Sequence, residues 1–315
     1  MSSPIKNEDL VFHFLNVGFG DCILIEFPAD KNGIRTYGAV DCLDSGKMKK
    51  YIDSLQDLRP GDKKLRFICA THPHQDHVKG ISNLLTDPRY APLEFWDSGF
   101  RHKSLTYMKI LEDVVATGLK MVRVSSGMEW YFGRVQVTAL SPSIRLRNRY
   151  STYGVDINNA SIVLRFEHHK DDYVLQQSLE YKGESSVLEE RNASQAVVIL
   201  AGDAEYDSWS HITEEYPRLE TMDANRPLVK KMLNMLNCSV VKVAHHGSMH
   251  SSPLDVYEKM GPKYAIISTK QQIDSKKLDD FTIERGLFPH PSAESALEEV
   301  NAHILTTDGC YEGKR

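Results

Sequence analysis

The residues best suited to chemistry lie in one short string, Thr71-His72-Pro73-His74-Gln75-Asp76-His77. Within six positions it offers three imidazoles and one carboxylate, all of which can bind a metal. Imidazole nitrogen and carboxylate oxygen suit Zn²⁺, and Mn²⁺ also accepts them. The string ends an apolar run, 65–72, and a loop from strand to helix would turn these side chains toward a shared point. A polar turn with solvated histidines is the alternative, but the density of ligands favours a metal site.

Isolated ligands follow two other apolar runs. Asp203 comes directly after 196–202, and His245 and His246 come directly after 239–244. Alone, an aspartate in such a place is more often a helix N-cap, and a pair of histidines is more often a surface feature. Because each group follows a strand of the buried type, we expect all three groups to meet in one site. The Asp203 carboxylate could then bridge two cations.

The elements that must position these residues alternate along the chain. Short runs rich in β-branched and aromatic residues are separated by stretches with helical spacing, which predicts an α/β (α+β) protein. The principal predicted strands are 11–17, 22–27, 37–42, 65–72, 161–169 and 196–205, with the last two as a pair, and a helix is predicted over 48–58. With no repeat or long linker, 1–315 is expected to be a single domain that carries a polar insertion at 170–195. That insertion is a candidate lid or protein-partner surface.

Composition sets further limits on this chain of 315 residues. The formal charge of −5 excludes a global basic field that would attract nucleic acid. The sequence has no apolar run of about 20 residues that could span a bilayer, and its start lacks a secretory signal. Its five cysteines are odd in number and widely spaced, which is typical of reduced thiols. We therefore expect a cytoplasmic protein without a membrane partner.

One local cluster of charge bears on the substrate. Arg145, Arg147 and Arg149 alternate with other residues, so they would share one face of an extended segment. Arginine forks match phosphate geometry, so this stripe could grip a phosphate backbone. The alternative is an exposed edge whose charges deter aggregation. Both interpretations stay open.

The strings HPHQDH, GDAE and HHGS, in this order, resemble the pattern of metallo-β-lactamase-fold hydrolases. Within that superfamily the chain is similar to the hydrolase domain of ComEC-type DNA-uptake (competence) proteins. The narrower likeness rests on four segments: Asn16–Cys22, Val40-Asp41, Asn158–Ser161 and Lys242–Ser248. It extends from about residue 11 to 310, nearly the whole chain. The resemblance implies a four-layer αββα sandwich with the metal site at one edge of the sheets.

The resemblance also implies a role for individual residues. His72 and His74 would bind a first metal, Asp76 and His77 a second, and Asp203 would bridge the two. One of His245 and His246 would complete the second site, while the other faces the substrate. Asp21, Asp41 and Asn159 would support the ligands from outside the metal shell. Many superfamily members carry a further histidine as third ligand of the first metal, and the only candidates between the first string and Asp203 are His102, His168 and His169.

The implied chemistry is hydrolysis with one or two divalent ions, Zn²⁺ or Mn²⁺. Two cations about 3.5–4 Å apart share a water, lower its pKa and clamp the attacking and leaving oxygens. Asp76 and His246 would be the catalytic residues, and Asp76 would orient this metal-bound hydroxide. Lys242, Ser248 and Ser251 would contact an oxyanion. We therefore expect a phosphodiesterase or nuclease acting on a nucleotide or nucleic acid. The alternatives are a hydrolase of a lactam, thioester or small ester, and an interaction subunit of a bacterial defence or regulatory assembly.

Overall fold

A computed structural model describes most of the chain. The described residues are 5–55, 65–153, 156–169, 196–216, 235–269 and 288–309. The predicted insertion at 170–195 lies outside them. Among the described helices, none combines the length and the apolar character that crossing a membrane requires.

The first sheet carries the predicted strands of the N-terminal half. Its described strands are β1 (Val11–Phe14), β2 (Cys22–Glu26), β3 (Tyr37–Cys42), β4 (Leu65–Ala70), β5 (Glu94–Asp97) and β6 (Lys120–Arg123), and they lie side by side in that order. The three strands from β1 to β3 pair antiparallel, and β3 to β6 pair parallel. Strands β3 and β4 therefore end at the same edge of this sheet.

The second sheet carries the C-terminal half. Its described strands are β7 (Glu129–Phe132), β8 (Val135–Ser141), β9 (Val163–His168), β10 (Ala196–Leu200), β11 (Val240–Lys242), β12 (Tyr264–Ile267) and β13 (His303–Thr306). They lie in the order β13-β12-β11-β10-β9-β8-β7. The pairs between β10 and β13 are parallel, and those between β7 and β10 are antiparallel. The expected strand pair of 161–169 with 196–205 is confirmed as β9 against β10.

Helices cover the outer faces of both sheets. They are α1 (Ser45–Ser54), α2 (Gln75–Val78), α3 (Ile81–Leu85), α4 (Leu105–Thr117), α5 (Ile144–Tyr153), α6 (Tyr206–Glu215), α7 (Leu254–Met260) and α8 (Pro291–Glu299). Local sequence accounts for their ends in several cases. The Asp44 side chain accepts a hydrogen bond from the Lys47 N–H at the start of α1, and Gly118 ends α4 in a left-handed conformation with φ 65°.

The alternation of side chains along the strands builds four layers. In β4, Phe67 and Cys69 point between the sheets, where they pack with residues of the second sheet such as Phe166. Their neighbours Ile68 and Ala70 point the other way and pack under α1, α3 and α4. The outer face of the second sheet is covered in the same way by α6, α7 and α8. The predicted αββα sandwich is confirmed.

The arginine segment differs from its prediction. Residues 144–153 form α5 rather than an extended stretch, so the three arginines do not share one face. In a helix, residues two apart point about 200° apart, whereas residues four apart point the same way. Arg145 and Arg149 accordingly lie on an exposed face, while Arg147 turns inward. The fully buried Leu146 anchors the segment, a packing role that the spacing of the arginines did not reveal.

Candidate metal centre

The first string of ligands lies where β4 leaves the sheet. His72 lies two residues beyond the end of β4, and His74 precedes α2, whose single turn carries Asp76 and His77. The turn that contains Gly20 packs against this string, because the Asp21 N–H donates to the Asp76 carbonyl at 3.1 Å. Gly20 has φ +128°, and a Cβ there would lie 2.4 Å from that carbonyl oxygen. A glycine is therefore required for the two turns to meet.

The carboxylate predicted to bridge two metals, that of Asp203, follows the end of β10. Gly202 turns the chain with φ +52°, and the Asp203 N–H then donates to the Ser161 hydroxyl at 3.1 Å. The two sheets meet here, since the Ile162 N–H donates to the Thr71 carbonyl at 2.9 Å. Asp203 is 1% exposed and so faces the interior between the strand ends.

The two adjacent histidines follow β11 in a left-handed turn. His245 and His246 have φ of 46° and 53°, and Gly247 continues with φ 78°. The Ser251 hydroxyl donates to the Ala244 carbonyl at 2.9 Å, and the His245 N–H donates to the Gly202 carbonyl at 3.0 Å. These hydrogen bonds hold a backbone conformation that residues other than glycine rarely adopt. As a result the two rings diverge, with centroids 6.3 Å apart and planes at 69°.

Four of the predicted ligands converge. Asp76, His77, Asp203 and His246 each offer a ligand atom, and these atoms all lie within 4.8 Å of one another. His77 Nε2 lies 3.1 Å from Asp203 Oδ1 and 3.7 Å from Asp76 Oδ2. His246 Nε2 lies 3.6 Å from the same Asp76 oxygen. Of the two adjacent histidines, His246 is therefore the one placed at the predicted second site.

A second group of ligands surrounds the other oxygen of Asp203. His72 Nε2 lies 3.7 Å from Asp203 Oδ2, and His245 Nε2 lies 3.8 Å from it. The ring of His74, which is half-buried, lies 4.8 Å from the ring of His72 between centroids. The Asp203 carboxylate thus presents one oxygen to each half of the predicted centre.

The donor atoms fit divalent cations. His72 Nε2, His77 Nε2, His246 Nε2 and Asp203 Oδ1 are buried and make no hydrogen bond of good geometry, although His77 Nε2 and Asp203 Oδ1 lie 3.1 Å apart. Such orphaned atoms are costly unless something binds them. The opposite nitrogens of two rings are held: Nδ1 of His77 lies 2.7 Å from Asp41 Oδ2, and Nδ1 of His246 lies 2.8 Å from the Ser268 carbonyl. This arrangement fixes the orientation of each ring and leaves Nε2 available to a divalent cation.

Asp41 and Asp21 support the ligands from behind. Asp41 has φ 56°, and its carboxylate accepts the Thr71 N–H at 2.8 Å and the Thr71 hydroxyl at 2.7 Å, besides contacting His77. The Asp21 carboxylate lies 3.7 Å from His77 Nδ1 and forms a buried ion pair with Lys242. Both aspartates thus contact the ring of His77 or the loop before it.

Burial and charge shift the pKa values in opposite directions. Burial lowers the pKa of His72 well below its ordinary value, which favours the neutral ring that a metal needs. Burial also lowers the pKa of His77, but Asp203 and Asp41 outweigh it and raise that pKa well above the ordinary value. Burial raises the pKa of Asp203, yet His77 and His72 hold it well below the usual range. The centre thus keeps its carboxylate ionised, and at His77 a cation would compete with a proton.

Two of the residues predicted to contact substrate do not face solvent. Lys242 and Ser251 are fully buried, the lysine against Asp21 and the serine against the backbone of the histidine turn. We correct both to structural roles, because neither side chain has a surface to offer a substrate. Ser248 is 6% exposed and accepts the His250 N–H at 3.3 Å.

The Asn158–Ser161 segment also serves the surrounding structure. Asn159 Oδ1 accepts the Ser208 N–H at 2.9 Å and so holds the first turn of α6. Asn158 donates to Glu205 at 3.0 Å. Of the candidate third ligands, His168 pairs with Ala196 at the start of β10, the end opposite to Asp203. His102 lies nearer, with its ring 5.7 Å from that of His74.

Several residues at this centre were not predicted. Glu205 and Ser268 contact the outward nitrogens of His245 and His246, at 3.0 Å and 2.8 Å. Phe19, 38% exposed, lies 6.5 Å from the His246 ring and 6.0 Å from that of Phe288. The acidic GDAE string was a signal for Glu205, but nothing in the sequence marks the Ser268 carbonyl.

No family model matches this chain, and no curated protein does either. Solved structures are similar to it at low identity. A mutant of CmlA β-hydroxylase is 11% identical with a TM-score of 0.47, and the match covers 96% of this chain and 53% of that one. The chain thus spans about half the length of that protein. A diphosphatase from the PhnP family is 11% identical with a TM-score of 0.40, covering 91% of this chain and 81% of that one. A metallo-β-lactamase from Cronobacter sakazakii is 12% identical with a TM-score of 0.33, covering 70% of each chain.

Proposed function

We propose that this protein is a metal-dependent hydrolase that cleaves phosphodiesters of nucleotides or nucleic acids. The observation that carries the proposal is the set of buried, orphaned ligand atoms on His72, His77, Asp203 and His246. A structural cluster would satisfy these atoms internally, whereas a metal centre needs them free. Two divalent cations held there would lower the pKa of a water and neutralise charge on the attacking and leaving oxygens.

The exposure of the ligands indicates where a substrate would enter. The Asp76 side chain is 40% exposed, whereas the side chains of His77, Asp203 and His246 are at most 4% exposed. An attacking water on this open side could donate a hydrogen bond to the Asp76 carboxylate. His74 and His245 are also partly exposed.

The surroundings of the open side support a nucleotide-like substrate. Phe19 offers an exposed aromatic ring beside His246, on which a planar base could stack. Arg149 of α5 lies 3.6 Å from Asp207 in the first turn of α6, the helix that follows Glu205 directly. An arginine that exchanged this ion pair for a phosphate group would favour a substrate that carries phosphate.

Removal of the metals is expected to lower both activity and stability. Extensive dialysis against a chelator should abolish turnover, because the ligand atoms alone supply no cation. The melting temperature should fall as well, since a ligand at 100 times its Kd stabilises the native state by about 2.7 kcal/mol. Elemental analysis and a thermal melt measure the two effects. The proposal would be contradicted by a protein that holds less than about a tenth of an equivalent of metal as purified and still does so after incubation with Zn²⁺ or Mn²⁺.

A substrate screen separates the proposed activity from its alternatives. The metal-loaded protein is incubated with a small aryl phosphodiester, single- and double-stranded oligonucleotides, cyclic dinucleotides, a lactam and a thioester. We expect turnover of the phosphodiesters to exceed that of the other two classes. Turnover of the lactam or thioester alone would replace the proposed class of substrate. A metal-loaded protein inactive on all of them would favour an interaction subunit.

The helical arrangement of the arginines predicts unequal roles for them. The Arg145 and Arg149 side chains are 72% and 52% exposed, so replacing both with alanine should raise KM for an oligonucleotide more than for a small diester. Arg147 instead donates to the Val124 carbonyl at 2.8 Å and to Ser125 at 3.0 Å. Arg147→Ala should therefore lower the melting temperature. Steady-state kinetics on both substrates, with a melt of each variant, checks this, and equal KM changes on the two substrates would remove the phosphate role.

A further inference from the structure

His245 has the orientation of a metal ligand on the first-metal side of Asp203. Its Nε2 lies 3.8 Å from Asp203 Oδ2, the same oxygen that lies 3.7 Å from His72 Nε2. The other oxygen, Oδ1, faces His77 at 3.1 Å. Each of these two separations from the carboxylate oxygen is one that a pair of ligands on the same ion can have, because each ligand bond is about 2.0–2.2 Å long.

A carboxylate fixes the ring of His245 from behind. Glu205 Oε1 lies 3.0 Å from His245 Nδ1 and also accepts the Asn158 amide at 3.0 Å. Asp41 contacts His77 in the same way, because its Oδ2 lies 2.7 Å from His77 Nδ1. In the neutral ring, a carboxylate beside one nitrogen holds the proton there and directs the other, unprotonated nitrogen, which is the usual arrangement of a histidine that binds a metal.

The backbone of the histidine turn explains how adjacent residues serve two positions. In a strand or an ordinary helix, the side chains of adjacent residues would not both face one metal centre. Here left-handed φ values of 46° and 53° place His245 toward Asp203 Oδ2 and His246 toward Asp76. Such a conformation is unfavourable outside glycine, and it persists where the surrounding bonds impose it, which is typical of functional sites.

We propose that His245, positioned by Glu205, is the third protein ligand of the first metal, together with His72 and His74. It would take the role for which His102, His168 and His169 are the candidates between the first string and Asp203 in the sequence. Glu205 acts only through the ring of His245 and is a positioning residue. This inference rests on the proposed metal centre, and it assigns His245 to the metal rather than to the substrate.

Metal binding by three variants tests the assignment without reference to turnover. Apo-protein is titrated with Zn²⁺ by calorimetry, and the metal retained after gel filtration is counted by elemental analysis. The wild type should bind two equivalents. His245→Asn should keep only the equivalent at Asp76, His77 and His246, because asparagine tolerates the left-handed backbone but removes the imidazole. Glu205→Gln should weaken binding of the first-site equivalent, the one that His245→Asn loses, about 10–100-fold. His303→Asn, at an exposed histidine on the distant start of β13, is the matched control and should bind like the wild type.

A second readout covers a variant that folds poorly. Co²⁺ is loaded in place of Zn²⁺, and the visible spectrum should lose the contribution of the first site in His245→Asn while that of the second stays. Two Zn²⁺ equivalents of unchanged affinity in His245→Asn, with an unchanged Co²⁺ spectrum, would overturn the inference. So would a wild type that binds a single equivalent which His245→Asn retains, although the metal-dependent hydrolase would survive both results. A wild type that binds no metal would overturn the proposed function as well.

Discussion

Asp203→Asn is expected to lose metal from both halves of the centre and with it nearly all turnover. Its carboxylate is the group that presents an oxygen to each half, with Oδ1 at 3.1 Å from His77 and Oδ2 at 3.7 Å from His72. An amide nearly preserves the shape but lacks the negative charge that offsets two cations. Because bound cations supply several kcal/mol to the transition state, kcat should fall by at least about 1000-fold. Turnover of a small phosphodiester, with the metal content of the same sample, measures the effect.

The matched control is Asp255→Asn. Asp255 lies in the first turn of α7 with a side chain 68% exposed, and its contact is a surface pair with Lys259 at 3.7 Å. That variant should keep the metal content and kcat of the wild type. Asp203→Asn should also melt as a folded protein, so that lost activity does not merely report unfolding. Two tightly held equivalents in Asp203→Asn would show that this aspartate is not a ligand.

Four of the residues that the sequence predicts as ligands lie together in the structure, Asp76, His77, Asp203 and His246, and their positions after strands explain why. His72, Asp203 and the histidine pair each follow an apolar run, and the ends of parallel strands meet at one edge of a sheet. The pairs β3–β4 and β10–β11 confirm that arrangement. The four layers followed from the resemblance, because alternation of strands and helices alone is compatible with other α/β folds.

What the sequence could not supply depends on tertiary contacts and on backbone conformation. Two left-handed φ values turn the side chains of His245 and His246 toward different groups. Histidine at these positions does not indicate such a backbone conformation. Glu205 acquires its role only because the turn after β10 brings it to His245. In the segment 145–149, the alternating arginines predict an extended stretch with one charged face. The burial of Leu146 instead determines how this segment packs as a helix.

Lys242→Met is expected to be the most destabilising single change among the polar residues around the centre. Lys242 is fully buried with its Nζ on the Asp21 carboxylate, and it also lies 3.4 Å from the Gly202 carbonyl. Burial raises the pKa of Asp21, but Lys242 together with His77 holds it below the ordinary value. Removing the lysine leaves a buried charge without its partner, at a cost of about 3–5 kcal/mol. Denaturant unfolding at fixed free metal measures this loss.

The companion variants decide whether the pair itself is responsible. Asp21→Asn in the Lys242→Met background should recover much of the loss, because replacing both partners of a buried pair is often nearly neutral. Lys120→Met, at a side chain 70% exposed in its pair with Glu94, should cost no more than about 1 kcal/mol.

The pH dependence of stability tests the same ion pair of Lys242 and Asp21 independently. In the wild type the lowered pKa of Asp21 contributes stability that is present above the unfolded-state pKa and is lost as the pH falls through the folded-state value. Without Lys242 the pKa of Asp21 rises relative to the wild type, so the folded variant takes up its proton at a higher pH. The deficit of Lys242→Met against the wild type should therefore shrink as the pH falls. A deficit that stays constant with pH, and that Asp21→Asn does not relieve, would attribute the loss to packing of the lysine chain rather than to the uncompensated carboxylate.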